Sequence, residues 1–480
     1  MHDAVSTLSS ALGGDDIAWL SAVELLDLYR EGELSPVEVT RCVLERAERT
    51  QFSLNAFCLV DADAALAAAA ASEQRWRRNE PRGLLDGVPV SVKDIVLTRG
   101  WPTLRGSRTV DPDQPWLEDA PSVARLREHG AVLFGKTTTP EFAVGAFTRS
   151  PLTGVTRNPW NIACTPGGSS GGAGAAVASG IGPLAVATDA GGSIRVPASF
   201  CGVFGIKPSG GRVPAYPPTP YGTLASIGPM SRTVEDAALM LSVMTEPDPR
   251  DWGALPYDAT PYHQRLSRPF EGLRVAWSPT LGYARVDEEV AALCARAAAV
   301  FGELGARVET VAHVFDDPLP LIDRFRDALT HFAFQAFDEG RLALMGERVA
   351  AMIRRSRARS SVTDHLAAEA QRAVFGARMN AFHQSHDLLL TPAVAVPPFP
   401  AEASHPDGYP DSMAWYPFTS PFNFTRQPAA CVPCGFTRAG LPVGLQIVGP
   451  AHADLLVLQA AHAFERARPW RHLKPPEAAA

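Results

Sequence analysis

Two short runs, Thr165-Pro-Gly-Gly-Ser-Ser-Gly-Gly172 and Thr188-Asp-Ala-Gly-Gly-Ser-Ile-Arg195, each set a serine directly after two glycines, with Ser169 and Ser193 24 positions apart. Glycine lets the main chain turn its N–H groups inward and come close to a bound carbonyl, which is what stabilising a tetrahedral oxyanion requires. The main chain of Ala190, Gly191, Gly192 and Ser193 is suited to donate those hydrogen bonds. Taken alone, either run is also what a tight glycine turn capped by a serine looks like. A serine hydroxyl attacks an amide only when a base accepts its proton, and the usual base is histidine. None of the 12 histidines stands near either run in sequence. Lysine can replace it if neutral. A reference pKa of about 10.4 leaves only about one lysine in two thousand uncharged at pH 7, so burial must lower it by roughly two to three units. Lys93 meets that demand, because it lies in the apolar run Val88–Ile95, where period-two alternation sends Asp94 to the opposite face. A lysine pointing from a strand into water is the other reading of the same residue.

The elements that must position these groups alternate between helix and strand. Helical spacing of apolar residues runs over Ile17–Arg30 and Ser35–Arg49, with Ser35-Pro36 placed as an N-cap and N1 proline, and an alanine-rich helix follows at Asp63–Trp76. Leu85–Ile95 reads as a short strand after a turn at Asp86-Gly87, and Ser122–His129 as a helix closed by Gly130. The alternation continues through Ala131–Phe134, Gly172–Gly180, Leu184–Thr188, Gly202–Lys207 and Val234–Met244. A proline-rich surface excursion is expected at 246–269, a strand at 271–276, a largely helical stretch at 287–386, and strands at Leu388–Thr391, Cys431–Phe436 and Val443–Val448. This pattern predicts an α/β fold with a central mixed, mostly parallel twisted sheet covered by helices on both sides. Residues 1–15 read as a tail and 1–70 as an N-terminal helical region.

Whole-chain properties exclude several function classes. With 480 residues, 46% apolar and 20% charged, the chain has an ordinary globular composition and ample material for a core. A net charge of -7 supplies no basic field for nucleic acid or an anionic membrane surface. No apolar run reaches the length of a membrane span and the start lacks a secretory pattern, so a cytoplasmic protein is expected. Seven scattered cysteines read as reduced thiols, and Cys431-Val-Pro-Cys434, without a second pair, reads as neither a metal nor a redox motif.

Two decoys need weighing. Gly130–Thr137 satisfies the letter of a phosphate loop, but a helix precedes it, its interior is strand-like and Pro140 follows soon after. Gly167–Gly171 satisfies the nucleophile-elbow pattern of α/β-hydrolase esterases, yet Asn161–Pro166 is a poor strand to run into such a turn.

The chain strongly resembles the amidase signature family. The resemblance rests on both glycine-serine runs together with Gly87–Asp94, Gly135–Phe142, Asn158-Pro-Trp160, Phe200–Pro208 and Gly440–Gly449, and spans nearly the whole chain. It implies an amidase domain over 71–480 with a helical insertion at about 287–386, and a Lys–Ser–Ser triad. In that triad Lys93 is general base, Ser193 nucleophile and Ser169 the relay, following a cis peptide bond from Gly168. It further implies that Ser170, Asp189 and Arg195 hold the glycine loops in register, and that Ala143, Val144 and Gly145 border the acyl site. No cofactor or metal is called for. The look is nearest to stand-alone bacterial amidases and aryl acylamidases, which implies hydrolysis of small amides, with carbamates (as a urethanase) and esters also open to the same triad. The alternative within the family is the amidase component of a glutamine-dependent tRNA amidotransferase, which requires partner subunits. A homodimer is left open. The small side chains at 143–145 imply a roomy acyl pocket without a charged partner, hence a hydrophobic aryl or alkyl substrate. Trp415, Tyr416 and Phe418 are candidates for an aromatic wall.

Overall fold

Ser35 caps the helix Pro36–Leu54: its hydroxyl accepts from the Val37 N–H, Glu38 reaches back to the Ser35 N–H, and Pro36 occupies the first turn. Ser21 closes a second capping box, which breaks the expected Ile17–Arg30 helix into Gly14–Ile17 and Ala22–Glu31. The computed structural model describes residues 14–476, so the tail expected over 1–15 lies, but for its last two residues, outside the described residues.

Among the described residues thirteen strands form two sheets: β1 (Phe57–Val60), β2 (Pro89–Lys93), β3 (Val132–Thr137), β4 (Arg149–Ser150), β5 (Gly154–Val155), β6 (Leu184–Asp189), β7 (Phe204–Lys207), β8 (Ser226–Ser231), β9 (Arg274–Trp277), β10 (Arg307–Thr310), β11 (Leu388–Pro392), β12 (Ala429–Phe436) and β13 (Pro442–Val448). Eleven of them make one mixed sheet in the order β1-β3-β2-β6-β8-β7-β12-β13-β11-β9-β10, with β4 and β5 a small hairpin apart. Pairing is parallel at β3-β2-β6, next to the site, and at β11-β9-β10, with antiparallel ladders from β6 through to β11.

Alternation along the central strands sorts their residues between two helical layers. Val90 and Val92 of β2, with Leu184 and Val186 of β6, join the core under the helices Val234–Met244, Glu288–Glu303 and Asp454–Ala467. Each such fully buried valine contributes about 1.5–3 kcal/mol relative to exposure. Ala185 and Ala187 face the opposite layer, which holds the helices Gly171–Ala178 and Arg195–Cys201. Further along that side lie Leu319–Ala333, Val362–Ser385 and Ser420–Phe424.

The helix Gly171–Ala178 consists of glycine and alanine apart from Val177, and its position explains them. A Cβ on Gly171 would meet Thr148 Oγ1 at 2.2 Å, and one on Gly172 would meet the Ala56 carbonyl and the Thr138 N–H at 2.5 Å. The helix therefore sits closer to the sheet than larger residues allow, and Ser169 and Ser170, at its start, are brought down onto the end of β2.

Three strands of the large sheet went unexpected, as did both strands of the small hairpin. β8 carries Gly228 and Pro229, residues that read as strand breakers; its ladder with β7 covers only Met230 and Ser231, so Pro229 is not asked for an N–H there. β1 is a four-residue edge strand inside the stretch read as helical, and β10, exposed along its length, ends the sheet inside the helical 287–386 stretch. The phosphate-loop decoy is strand β3: Lys136 is buried and donates to the Val96 carbonyl at 2.7 Å and Thr103 Oγ1 at 2.8 Å. No helix among the described residues is long and apolar enough to cross a membrane.

Candidate active site

Lys93 closes β2 with its side chain fully buried, and three hydroxyls surround its amine: Ser169 Oγ at 2.7 Å, Ser170 Oγ at 2.8 Å and Thr188 Oγ1 at 2.9 Å. No carboxylate lies within ion-pair distance of it among the described residues. Asp94 instead accepts the Leu104 and Gly106 N–H groups and lies 3.9 Å from Lys136. Burial pushes the Lys93 ammonium well below its ordinary pKa, with the charge of Asp189 opposing. A neutral amine keeps two hydrogens and gains a lone pair, so one hydroxyl must turn its hydrogen inward. Ser170 Oγ donates to the Thr188 carbonyl at 3.2 Å and so accepts from Lys93. Ser169 has no other acceptor among the described residues, and its hydrogen is free to turn onto the amine. The Gly168–Ser169 peptide is cis.

The loop after β6 is held by one buried ion pair. Asp189 and Arg195 meet through two hydrogen bonds, Nε at 3.0 Å and Nη2 at 2.9 Å, both side chains fully buried. Burial alone would raise the Asp189 carboxyl; Arg195 overrides it and holds the carboxyl below the usual carboxylate range. Asp189 also accepts the Gly192 N–H at 2.7 Å, the Ile194 N–H at 3.1 Å and Asn423 Nδ2 at 2.9 Å. Arg195 continues to the Thr419 carbonyl, Gln446 Oε1 and Asn423 Oδ1. Thr419 and Ser420 hydroxyls both donate to the Gly191 carbonyl, at 2.7 and 3.0 Å, while the N–H on the other side of that peptide, that of Gly192, is the one held by Asp189. The Ser170 N–H donates to the Ser193 carbonyl at 3.1 Å and ties the two glycine-serine runs together.

The expected oxyanion donors divide. Gly192 is committed to Asp189, whereas the N–H groups of Ala190, Gly191 and Ser193 make no hydrogen bond among the described residues and remain available. Gly192 itself has φ 128° and an added Cβ would meet Thr419 Oγ1 at 2.3 Å, so no other residue fits.

Ser193 lies where two cavities meet. The larger, about 170 Å³, is walled by Ile95, Leu97, Phe142, Tyr216, Ile227 and Phe334, and Ser169 opens onto it. The smaller, about 30 Å³, holds Gly145, Gly191, Gly192, Arg326 and Tyr416, while Ala143, Ala190 and Tyr221 border both. Of the residues expected at the acyl site, Ala143 and Gly145 line the smaller cavity; Val144 is buried in a separate cluster with Phe334, Leu342 and Met345. Of the aromatic candidates only Tyr416 reaches the site. Trp415 packs with Phe200 and Phe399, and Phe418 lies in the core beside Phe422.

A family model described as Amidase matches residues 38–458 of this chain. The chain belongs to the amidase family. An acylamidase of Rhodococcus erythropolis is 35% identical over 476 residues, covering 96% of this chain and 98% of that protein. A glutamyl-tRNA(Gln) amidotransferase subunit of Gloeobacter violaceus is also 35% identical, over 479 residues, covering 93% and 96%. The structure of a bacterial aryl acylamidase of the amidase signature family superposes with a TM-score of 0.87 at 33% identity, covering 94% and 97%. As a member of this amidase family the protein is a hydrolase of amide C–N bonds, and its mixed sheet with helices on both faces is the fold of these relatives.

Several residues of this amidase's site had no signal that pattern alone could use. Thr188 stands one residue before Asp189 in a quoted run, and its contact with Lys93 spans β2 and β6. Asn423, Thr419 and Gln446 reach the glycine loop from more than 220 residues away. Arg326 comes from a helix whose amphipathic pattern is ordinary.

Proposed function

We propose that the protein is a stand-alone serine amidohydrolase that cleaves small amides with an apolar amine portion through an acyl-enzyme. Lys93 acts as base, Ser169 as relay and Ser193 as nucleophile. The observation that carries the reading is the fully buried Lys93 amine 2.7 Å from Ser169 Oγ, with Ser169 lining the same cavity as Ser193.

The Ser193 oxygen attacks the scissile carbonyl carbon while its proton passes to Ser169 and the Ser169 proton to the neutral Lys93 amine. The carbonyl oxygen, now negative, faces the free N–H groups of Ala190, Gly191 and Ser193. As the C–N bond breaks, the proton held by Lys93 returns through Ser169 to the departing nitrogen. Water then attacks the acyl-Ser193 ester by the same proton path and regenerates the hydroxyl. Of the two cavities Ser169 opens onto the larger and not the smaller, so the nitrogen that recovers its proton lies on that side, against Phe142, Ile227 and Phe334. Carbamates and esters present the same carbonyl to the same groups and fall within the proposed range.

The test is steady-state hydrolysis of 4-nitroacetanilide by wild type, Ser193→Ala and Lys93→Ala, with no ATP, tRNA or partner protein. Turnover by wild type and loss by orders of magnitude in both variants is expected. An inert wild type favours the amidotransferase reading, and an active Ser193→Ala removes the nucleophile assignment.

A further inference from the structure

Arg326 contradicts the expectation of an acyl pocket without a charged partner. It lies on the helix Leu319–Ala333 and lines the small cavity together with Ser193 and the glycine loop. Its guanidinium has no carboxylate within 4 Å among the described residues, although carboxylates are close at hand. Asp323, one turn earlier on the same helix, attracts Arg326 only from beyond contact distance and lines an outer surface groove with Arg324, Asp327 and Arg359. Asp189 is taken up by Arg195, and the nearby Arg348 is paired with Asp411 at 2.9 Å. What Arg326 does contact is neutral: Nη1 donates to Met413 Sδ at 3.2 Å, and the Tyr416 hydroxyl is a hydrogen-bond partner. Tyr221 completes the cavity wall. Both phenols are pushed up by burial and stay protonated at neutral pH, so each retains a hydrogen to donate.

A guanidinium offers five N–H donors and no acceptor, and withdrawing one from water with only a thioether and a phenol as partners is unfavourable unless an anion completes it. Its planar fork matches a carboxylate. The amine portion of the substrate is assigned to the larger cavity by Ser169, which leaves the acyl portion facing Arg326. About 30 Å³ of space admits only a few atoms beyond the scissile carbonyl.

We infer that Arg326 is a specificity-determining residue that binds a carboxylate at the far end of a short acyl group. The substrates are then half-amides of small dicarboxylic acids with an apolar amine. The inference rests on the amidohydrolase reading above and deepens it.

The test compares two chromogenic substrates that release the same 4-nitroaniline, neutral 4-nitroacetanilide and the anionic N-(4-nitrophenyl)succinamate, in wild type, Arg326→Met and Arg326→Lys. The wild type is expected to prefer the anionic compound in kcat/KM. Arg326→Met is expected to lower that preference about 100-fold, chiefly through KM, the scale of a lost charge-assisted bidentate contact. Arg326→Lys should restore part of it. Succinate should inhibit wild-type cleavage of 4-nitroacetanilide competitively, a measurement that needs no variant to fold. Equal losses on both substrates, an unchanged preference, or no inhibition by succinate at tens of millimolar each overturn the role of Arg326 while leaving the amidohydrolase reading intact. A wild type that cleaves neither compound removes both.

Discussion

Replacing Asp189 by Asn isolates what the buried ion pair does, because the shape is kept and only the charge and one acceptor face are changed. In the wild type the Asp189 carboxylate accepts from Arg195 twice, from the Gly192 and Ile194 N–H groups and from Asn423. An asparagine amide keeps one oxygen and turns an NH₂ group toward donors, and Arg195 is left buried without its counter-charge. Breaking a buried pair from one side costs about 3–5 kcal/mol. With an unfolding entropy of about 2.1 cal/mol/K per residue, a chain of 480 residues has about 1 kcal/mol/K at its midpoint, so the expected drop in Tm is about 3–5 °C. The pH dependence has a definite sign. Asp189 has a folded pKa below its unfolded value, so its stabilisation is complete above the unfolded pKa of about 3.9 and is lost as pH falls through the lower folded value. The gap between wild type and Asp189→Asn should therefore be full at pH 7 and close only in strong acid. Differential scanning calorimetry at several pH values, with 4-nitroacetanilide turnover alongside, reads both effects. Activity should fall at least 100-fold, because the same carboxylate sets the loop that carries Ser193. A variant with unchanged Tm and unchanged kcat/KM would refute the claim that this pair holds the site.

Two further outcomes are expected. The kcat/KM of the wild type should rise with pH through a single limb well below the ordinary lysine range, because Lys93 as the proposed base must be neutral and burial lowers its pKa; a limb near pH 10 in the pH–rate profile contradicts this. Gly192→Ala should lose activity by orders of magnitude and about 1–3 kcal/mol of stability in urea titrations, since its Cβ would meet Thr419 Oγ1 at 2.3 Å on a backbone with φ 128°; full activity would show that the loop can shift.

The chemistry proposed for this protein is legible in its sequence because it is carried by local patterns. Two glycine-serine runs and a lysine in an apolar strand are each contiguous, and alternation alone separates Lys93 from Asp94. The central strands β2, β3 and β6 are readable for the same reason: short segments of five or six residues, rich in valine and other apolar side chains and bounded by turns, announce themselves. What stayed hidden depends on segments distant in the chain. β8 reads as a broken strand until β6 supplies its ladder, and Thr188 looks like a loop-edge threonine until β2 and β6 lie side by side. Nothing in the sequence near Gly192 says that its N–H will be taken by Asp189, or that Asn423 and Gln446 will complete the Arg195 network. Arg326 is the clearest case: one of two arginines on an amphipathic helix, given meaning only by the fold that sets it in one cavity with Ser193 and leaves it no carboxylate in contact. The reaction type is readable from the chain alone, since bond-making groups come as short motifs of fixed spacing. Which substrate atoms those groups can meet is settled only on folding, since the walls of a cavity are assembled from residues whose only relation is contact.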